Sequence, residues 1–250
     1  MDPLKDYYQK INRIFEKILN ERESLEKAAR AIARRIVDGR VVFVFGTGGH
    51  SIMGGEEIFC RAGGFACVNA ILDPSLSLIN GNRRANLTER TLGYAKTVLD
   101  LYGLKEDDII IIVNVNGINA VTIDAAEESR SRGAEVIAVT SKEFSLNVPP
   151  DTTARHPSNK NLFEISDHVI DIHVPVGDAI LDIEGIPTKV SASSTLAATF
   201  ALNGLMALTA KILVEDGKEP PIFRSANIPG GLEYNNKLRE NYKDRVRHYF

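Results

Sequence analysis

The sequence has few of the features that would assign it early to a narrow class. It contains only two cysteines, Cys60 and Cys67, and they are not spaced as a Cys-x-x-Cys pair. That excludes a disulfide framework and offers no thiol redox or zinc motif, so both read as small core residues. Neither sign of charge is in excess, and the formal net charge is −3 at pH 7. No overall field therefore draws in nucleic acid or an anionic membrane, and any anion must be captured by local donors. The opening MDPLKDYYQK lacks the basic-then-apolar layout of a secretory signal. No apolar run read from the sequence approaches the roughly 20 residues that span a bilayer. The expectation is a cytoplasmic protein that engages neither membrane nor nucleic acid. With 250 residues, 44% of them hydrophobic and 25% charged, the chain has an ordinary globular composition.

What is present is periodicity of two kinds. Residues 3 to 38 carry apolar groups at Leu4, Tyr7, Ile11, Ile14, Phe15 and Ile18, then at Leu25, Ala28, Ala29, Ile32 and Ile36. This is helical spacing, divided at NERES with Ser24 as a candidate N-cap. The first stripe fits either a helix covering a sheet face or one packing on a second subunit. From residue 41 short β-branched runs take over, at 41–45, 65–71, 109–113, 135–139 and 168–172, with segments of helical length between the first four. Continuous apolar strands alternating with helices predict a parallel sheet covered on both faces. Residues 178–190 read as a hairpin around Gly185, Ser194 to Val214 as a buried helix, and the charged tail as a helix on the body or on a partner chain. The domain reading is N-terminal helices over 1–38, an α/β domain over 39–215 and a helical tail over 216–250.

Parallel sheets bind ligands at the carboxyl ends of their strands. After the first strand comes GTGGHS, residues Gly46, Thr47, Gly48, Gly49, His50 and Ser51. Glycines opening a helix present unpaired N–H groups and the positive end of a dipole, which suits phosphate. A P-loop would need Gly-Lys-Ser/Thr, and the dinucleotide fingerprint a third glycine where Ser51 stands. No cofactor is expected. After the third strand comes Asn114, Asn116, Gly117 and Asn119, a second candidate nest. Thr140 and Ser141 end the next strand, and Ser191, Ser193, Ser194 and Thr195 open the long helix. Each alone fits an N-cap. Together they point to a phosphorylated small molecule with hydroxyls of its own, a sugar monophosphate.

These loops resemble those of the sugar isomerase (SIS) domain family, which includes phosphoheptose isomerase, the isomerase half of glucosamine-6-phosphate synthase and N-acetylmuramic acid 6-phosphate etherases. The resemblance covers roughly residues 24–215 and rests on FGTGGHS, the strand-Asn-x-Asn-Gly-x-Asn loop, TS and the Ser/Thr-rich helix start. A closer likeness, in FCRAGG, RHPSNKNLFE and GDAILDIEG, is to a bacterial branch of phosphoheptose isomerase-like SIS proteins. The resemblance implies a flavodoxin-like, doubly wound, five-stranded α/β fold, an anionic sugar ligand and a homodimer in which a second subunit helps complete the site. The family's usual second loop is Ser-x-Ser-Gly-x-Thr. Asparagine at 114, 116 and 119 departs from it, removing the usual hydroxyls while leaving the backbone nest.

Aldose-ketose isomerisation needs a base for a carbon-bound proton, donors for the enediolate oxygens and a grip on the phosphate. By the resemblance, Glu57, the second of an acidic pair on the helix after the first loop, is the candidate base. Its spacing from the loop serine is about four residues shorter than in the family, a rotation of about 40° but a shift of roughly 6 Å along the helix. His156 is a candidate proton relay near neutrality, and Glu184 at the hairpin turn is a second carboxylate. No two histidines have metal-ligand spacing, so no metal site is expected. A non-catalytic sugar-phosphate sensor and a lyase or etherase remain open beside the isomerase.

Overall fold

The computed structural model describes residues 2–249. Helices α1 (Pro3–Asn20) and α2 (Arg22–Val37) lead into β1 (Val42–Gly46), α3 (Ile52–Ile58), β2 (Val68–Ile71), α4 (Asn82–Thr88), α5 (Tyr94–Tyr102) and β3 (Ile109–Val113). There follow α6 (Ala120–Ser131), β4 (Glu135–Thr140), α7 (Lys142–Leu146), β5 (His168–Asp171), β6 (Ala179–Leu181), β7 (Val190–Ala192), α8 (Ser194–Glu215) and α9 (Gly231–Glu240). The first five strands form one parallel sheet in the order β2-β1-β3-β4-β5. That is the flavodoxin-like doubly wound order. β6 and β7 pair antiparallel as the expected hairpin.

Alternation along the strands divides the core into two layers, because successive side chains point to opposite faces. Val42 and Val44 of β1, with Ile109, Ile111 and Val113 of β3, pack with α2 and α8. Phe43, Phe45, Ile110 and Ile112 pack on the other side with α5 and α6. Helix α8 lies along α2 and against α1 and α3. It is long and apolar enough to cross a membrane by length and composition, a run that exceeds the sequence reading. Here Ala197, Ala201, Leu202 and Leu205 are buried in the protein core.

Several local expectations need correction. Ser24 does not cap α2: Glu21 occupies the N-cap, and the Ser24 hydroxyl bonds the Glu21 carboxylate at 3.4 Å. The α1 stripe is buried within its own chain at Ile11, Ile14 and Ile18, with Phe15 stacked on Phe200 at 4.4 Å. The segment after the glycine loop is helical only over Ile52–Ile58, and the one after β2 is broken by the left-handed Gly93. The tail is not a single helix. α9 ends at Glu240 and the chain then docks on the edge strand β2, with Val246 buried and the Tyr249 hydroxyl donating to the Ala66 carbonyl at 2.7 Å.

Asn69 anchors that docking. Its side chain, almost fully buried in β2, donates to the Arg245 carbonyl at 3.0 Å and accepts from the Arg247 amide at 3.2 Å. Asn69→Ala leaves two backbone groups unsatisfied, at a cost of roughly 1–3 kcal/mol. The expected outcome is a lower denaturation midpoint with new protease cleavage confined to the tail beyond Glu240, read by urea titration and limited proteolysis.

Candidate functional site

In the order β2-β1-β3, the chain leaves β1 and β3 toward opposite sides of the sheet, opening a crevice beyond their carboxyl ends. A cavity of about 190 Å³ occupies it. This is smaller than the roughly 300–1,000 Å³ of drug-sized pockets, so the occupant is small. Five pieces of chain line it: the loop after β1 with Gly54 of α3, the end of β3 with the loop after it, the segment from Leu78 to Glu89, Ile172 just after β5, and Asp178 with the first turn of α8.

The loop after β1 depends on glycine. A Cβ on Gly46 would stand 2.2 Å from the Ser51 carbonyl oxygen, so only glycine lets the backbone fold back on itself there. Thr47 is fully buried and its hydroxyl lies 2.7 Å from that of Thr122, which fixes the loop to α6 rather than to the cavity. Gly48, Gly49, His50 and Ser51 line the cavity. Among the described residues, their four successive amides make no hydrogen bond. The Ser51 hydroxyl is likewise without a partner there.

The loop after β3 is tied by its own asparagines. Asn114 Oδ1 accepts from the Gly117 amide at 2.9 Å, Asn116 Oδ1 accepts from Ile118 at 3.3 Å, and Asn119 Nδ2 donates to the Ala154 carbonyl at 3.1 Å. Gly117 has φ +58°, and a Cβ there would meet the Thr140 hydroxyl at 2.6 Å. The start of α8 is filled from within the chain. Asp178 accepts from the Ser193 and Ser194 amides at 2.9 and 2.7 Å and from the Ser194 hydroxyl at 2.7 Å. A carboxylate of the protein thus sits where an anion could have bound.

The cavity therefore gathers Gly48, Gly49, His50, Ser51, Asn114, Asn116, Asn119, Ser194 and Thr195 from the sequence candidates. It does not gather the others. Glu57 does not line the cavity: its carboxylate is held by Arg61 at 2.5 Å and by Asn203 Nδ2 of α8 at 3.0 Å. His156 holds its segment to α6 through Asp124 at 3.2 Å, with Ser158 at 2.7 Å on its other nitrogen. Glu184 is exposed on the hairpin. Thr140 and Ser141 are buried, Ser141 donating to the Val174 carbonyl at 2.7 Å and capping α7. Ser193 serves the Asp178 cap, and Gly46, Thr47 and Gly117 shape loops. Elsewhere Glu21, Asp171 and His173 bring three ligand-type atoms within 4.8 Å of one another, a grouping no spacing in the sequence announced. A hydrogen bond of 3.0 Å between His173 Nε2 and Glu21 accounts for part of it.

The sequence reading missed Asn82, Asn86 and Glu89, which line the cavity from and just after α4. Their spacing of four and three residues is the helical period, so one polar face was there to be read. Among the described residues, no lysine or arginine lines the cavity. The Glu89 carboxylate makes no hydrogen bond or ion pair among the described residues, and burial raises its pKa above the ordinary 4.5, partly offset by Arg90.

The five-stranded parallel sheet in this order, with its flanking helices, is the fold of an SIS-type domain. The chain belongs to the SIS domain family, whose model matches residues 6–141. It is similar over nearly its whole length to bacterial proteins named UPF0309 protein. One from Geobacillus thermodenitrificans is 36% identical over 244 residues, covering 97% of this chain and 96% of the relative. One from Caldanaerobacter subterraneus is 41% identical over 246 residues, covering 97% and 98%. In fold it is similar to a phosphoheptose isomerase from Francisella tularensis, with TM-score 0.56, 16% identity and coverage of 84% and 97%. A phosphoheptose isomerase from Neisseria gonorrhoeae gives TM-score 0.57 at 12% identity, covering 83% and 97%.

Two outcomes follow from the geometry. Gly46→Ala has only backbone to displace, and the expected loss is roughly 3 kcal/mol, whereas Gly204→Ala on α8 meets nothing within 4 Å and gains roughly 0.5–1 kcal/mol. Paired chemical denaturation measures both. Because the folded state raises the Glu89 pKa, its contribution to stability is fully present below pH 4.5 and lost as pH rises through the folded value. Glu89→Gln is therefore expected to raise the thermal midpoint at pH 7 by about 2 °C or less, with no gain at pH 4.

Proposed function

We propose that the chain binds a phosphorylated monosaccharide and interconverts its aldose and ketose forms through an enediol. The observation that carries this reading is the run of four unbonded amides from Gly48 to Ser51 at the switch point of the sheet. Such a run binds phosphate without a cationic side chain, which suits a cavity lined by neither lysine nor arginine. Asn82, Asn86, Asn114 and Asn116 surround the same space with amide groups that donate and accept, as a polyhydroxyl chain requires. The resemblance in fold to proteins named phosphoheptose isomerase is consistent with that assignment. In this reading the protein works as a cytoplasmic homodimer. Exposed Leu4 and Tyr8 on α1 and Leu196 on α8 supply apolar surface for the second copy.

Thermal denaturation against sugar phosphates, the matched free sugars and inorganic phosphate tests the binding. A ligand at about 100 times its Kd stabilises by roughly 2.7 kcal/mol, or roughly 5–10 °C for a chain of this size. The expected result is a shift with a sugar phosphate and none with its dephosphorylated counterpart. Gly48→Ala has its tightest contact with the flexible end of Glu89 at 3.1 Å, and its other neighbours are the side-chain ends of Asn114 and Ser51 at 3.4 and 3.7 Å, so it should fold and lose that shift. Stabilisation by free sugars equal to that by their phosphates would sink the reading. Binding without turnover would make the protein a sugar-phosphate sensor.

A further inference from the structure

We infer that Glu89 is the catalytic residue that removes the carbon-bound proton, an assignment that rests on the isomerase reading and deepens it. Among the described residues, two carboxylates reach the cavity, those of Glu89 and Asp178. Asp178 is engaged elsewhere. Both of its oxygens accept hydrogen bonds from Ser193 and Ser194 at the start of α8, so the carboxylate is held as the cap of that helix. A base must have a free lone pair directed at substrate. Glu57 does not reach, since Arg61 and Asn203 engage its two oxygens outside the cavity.

Glu89 meets the requirements that those two fail. It stands immediately after α4, where its amide donates to the Ala85 carbonyl at 2.9 Å and its carbonyl accepts from the Val121 amide at 3.1 Å. The residue is thus pinned by its backbone between α4 and the first turn of α6, while its carboxylate is left without a partner. The bare face of Gly48 shows where that carboxylate points. A Cβ built there would lie 3.1 Å from Glu89 Oε2, 3.4 Å from Asn114 Nδ2 and 3.7 Å from Ser51 Oγ. An acceptor, an amide donor and a hydroxyl therefore converge on one small volume that the missing side chain leaves open. That is the set an enolisation needs, a base for carbon and donors for oxygen. The same partial burial that leaves Glu89 unpaired moves its pKa toward the working pH, which favours proton transfer in both directions.

The step balances without a co-reactant. Glu89 takes the C2 proton of the open-chain aldose, and the C2–H electron pair forms the C1–C2 double bond as the C1 carbonyl becomes an oxyanion. The oxyanion gains a proton and the C2 hydroxyl loses one as the C2 carbonyl forms, while Glu89 returns its proton to C1. The ketose has the atoms of the aldose, and the carboxylate is regenerated.

The test uses the full chain in heavy water with each sugar phosphate that stabilises it, followed by NMR, for wild type, Glu89→Gln, Glu89→Asp and Glu57→Gln. Expected are deuterium entry at C2 in wild type, a fall of about 100-fold or more in Glu89→Gln, partial recovery in Glu89→Asp, and retained stabilisation by the same sugar in all Glu89 variants. Exchange surviving in Glu89→Gln, or lost in Glu57→Gln instead, overturns the assignment while leaving the isomerase. If no sugar that stabilises the wild type exchanges a proton, the isomerase reading itself fails and the assignment falls with it.

Discussion

The closure of the chain on itself between Gly46 and Ser51 is the constraint on which the site depends. A parallel strand delivers its backbone to the edge of the sheet with its amides still directed along the ladder. Turning them toward a ligand requires a bend so tight that one carbonyl occupies the space of a missing Cβ. Glycine permits that approach, and the buried contact between Thr47 and Thr122 holds the bend against α6. Gly48 then lets other side chains converge where its own would have been. One loop thus supplies the anion-facing amides and the open volume beside them.

The remaining polar groups divide into those that build the crevice and those that face into it, and burial decides which are which. Asn114 and Asn116 satisfy backbone amides of their own loop, and Asn119 satisfies the Ala154 carbonyl of the segment before β5, because an orphaned buried backbone group would cost as much as the hydrogen bond it lacks. Asp178 does the same for α8, placing its charge on the positive end of the helix. These are structural duties in residue types that also serve catalysis. The Glu89 carboxylate has no such partner among the described residues, and burial disfavours its charge.

Around this centre the covering layers are set by the alternation of strand residues. One face of the sheet receives α1, α2 and α8, and the other receives α5 and α6. The tail completes the enclosure by docking on β2, where an edge strand would otherwise present unpaired groups. The same packing buries Ala197, Ala201, Leu202 and Leu205 of an α8 that is apolar enough for a bilayer.

The parallel sheet, its five apolar strands, the hairpin and the glycine loop were all determined locally, by periods of two and of about 3.6 and by residues whose backbone freedom is unique. The α4 face carrying Asn82, Asn86 and Glu89 was also within reach of its spacing. Tertiary structure alone decided which polar side chains meet. Whether Asp178 caps α8, whether Glu57 faces Arg61 or the cavity, and whether His156 is free or bound to Asp124 depend on distances between segments far apart in the chain. Hydrogen bonds act over about 3 Å, and a shift of one helical turn, about 5.4 Å, reassigns them without altering the apolar pattern that specifies the fold.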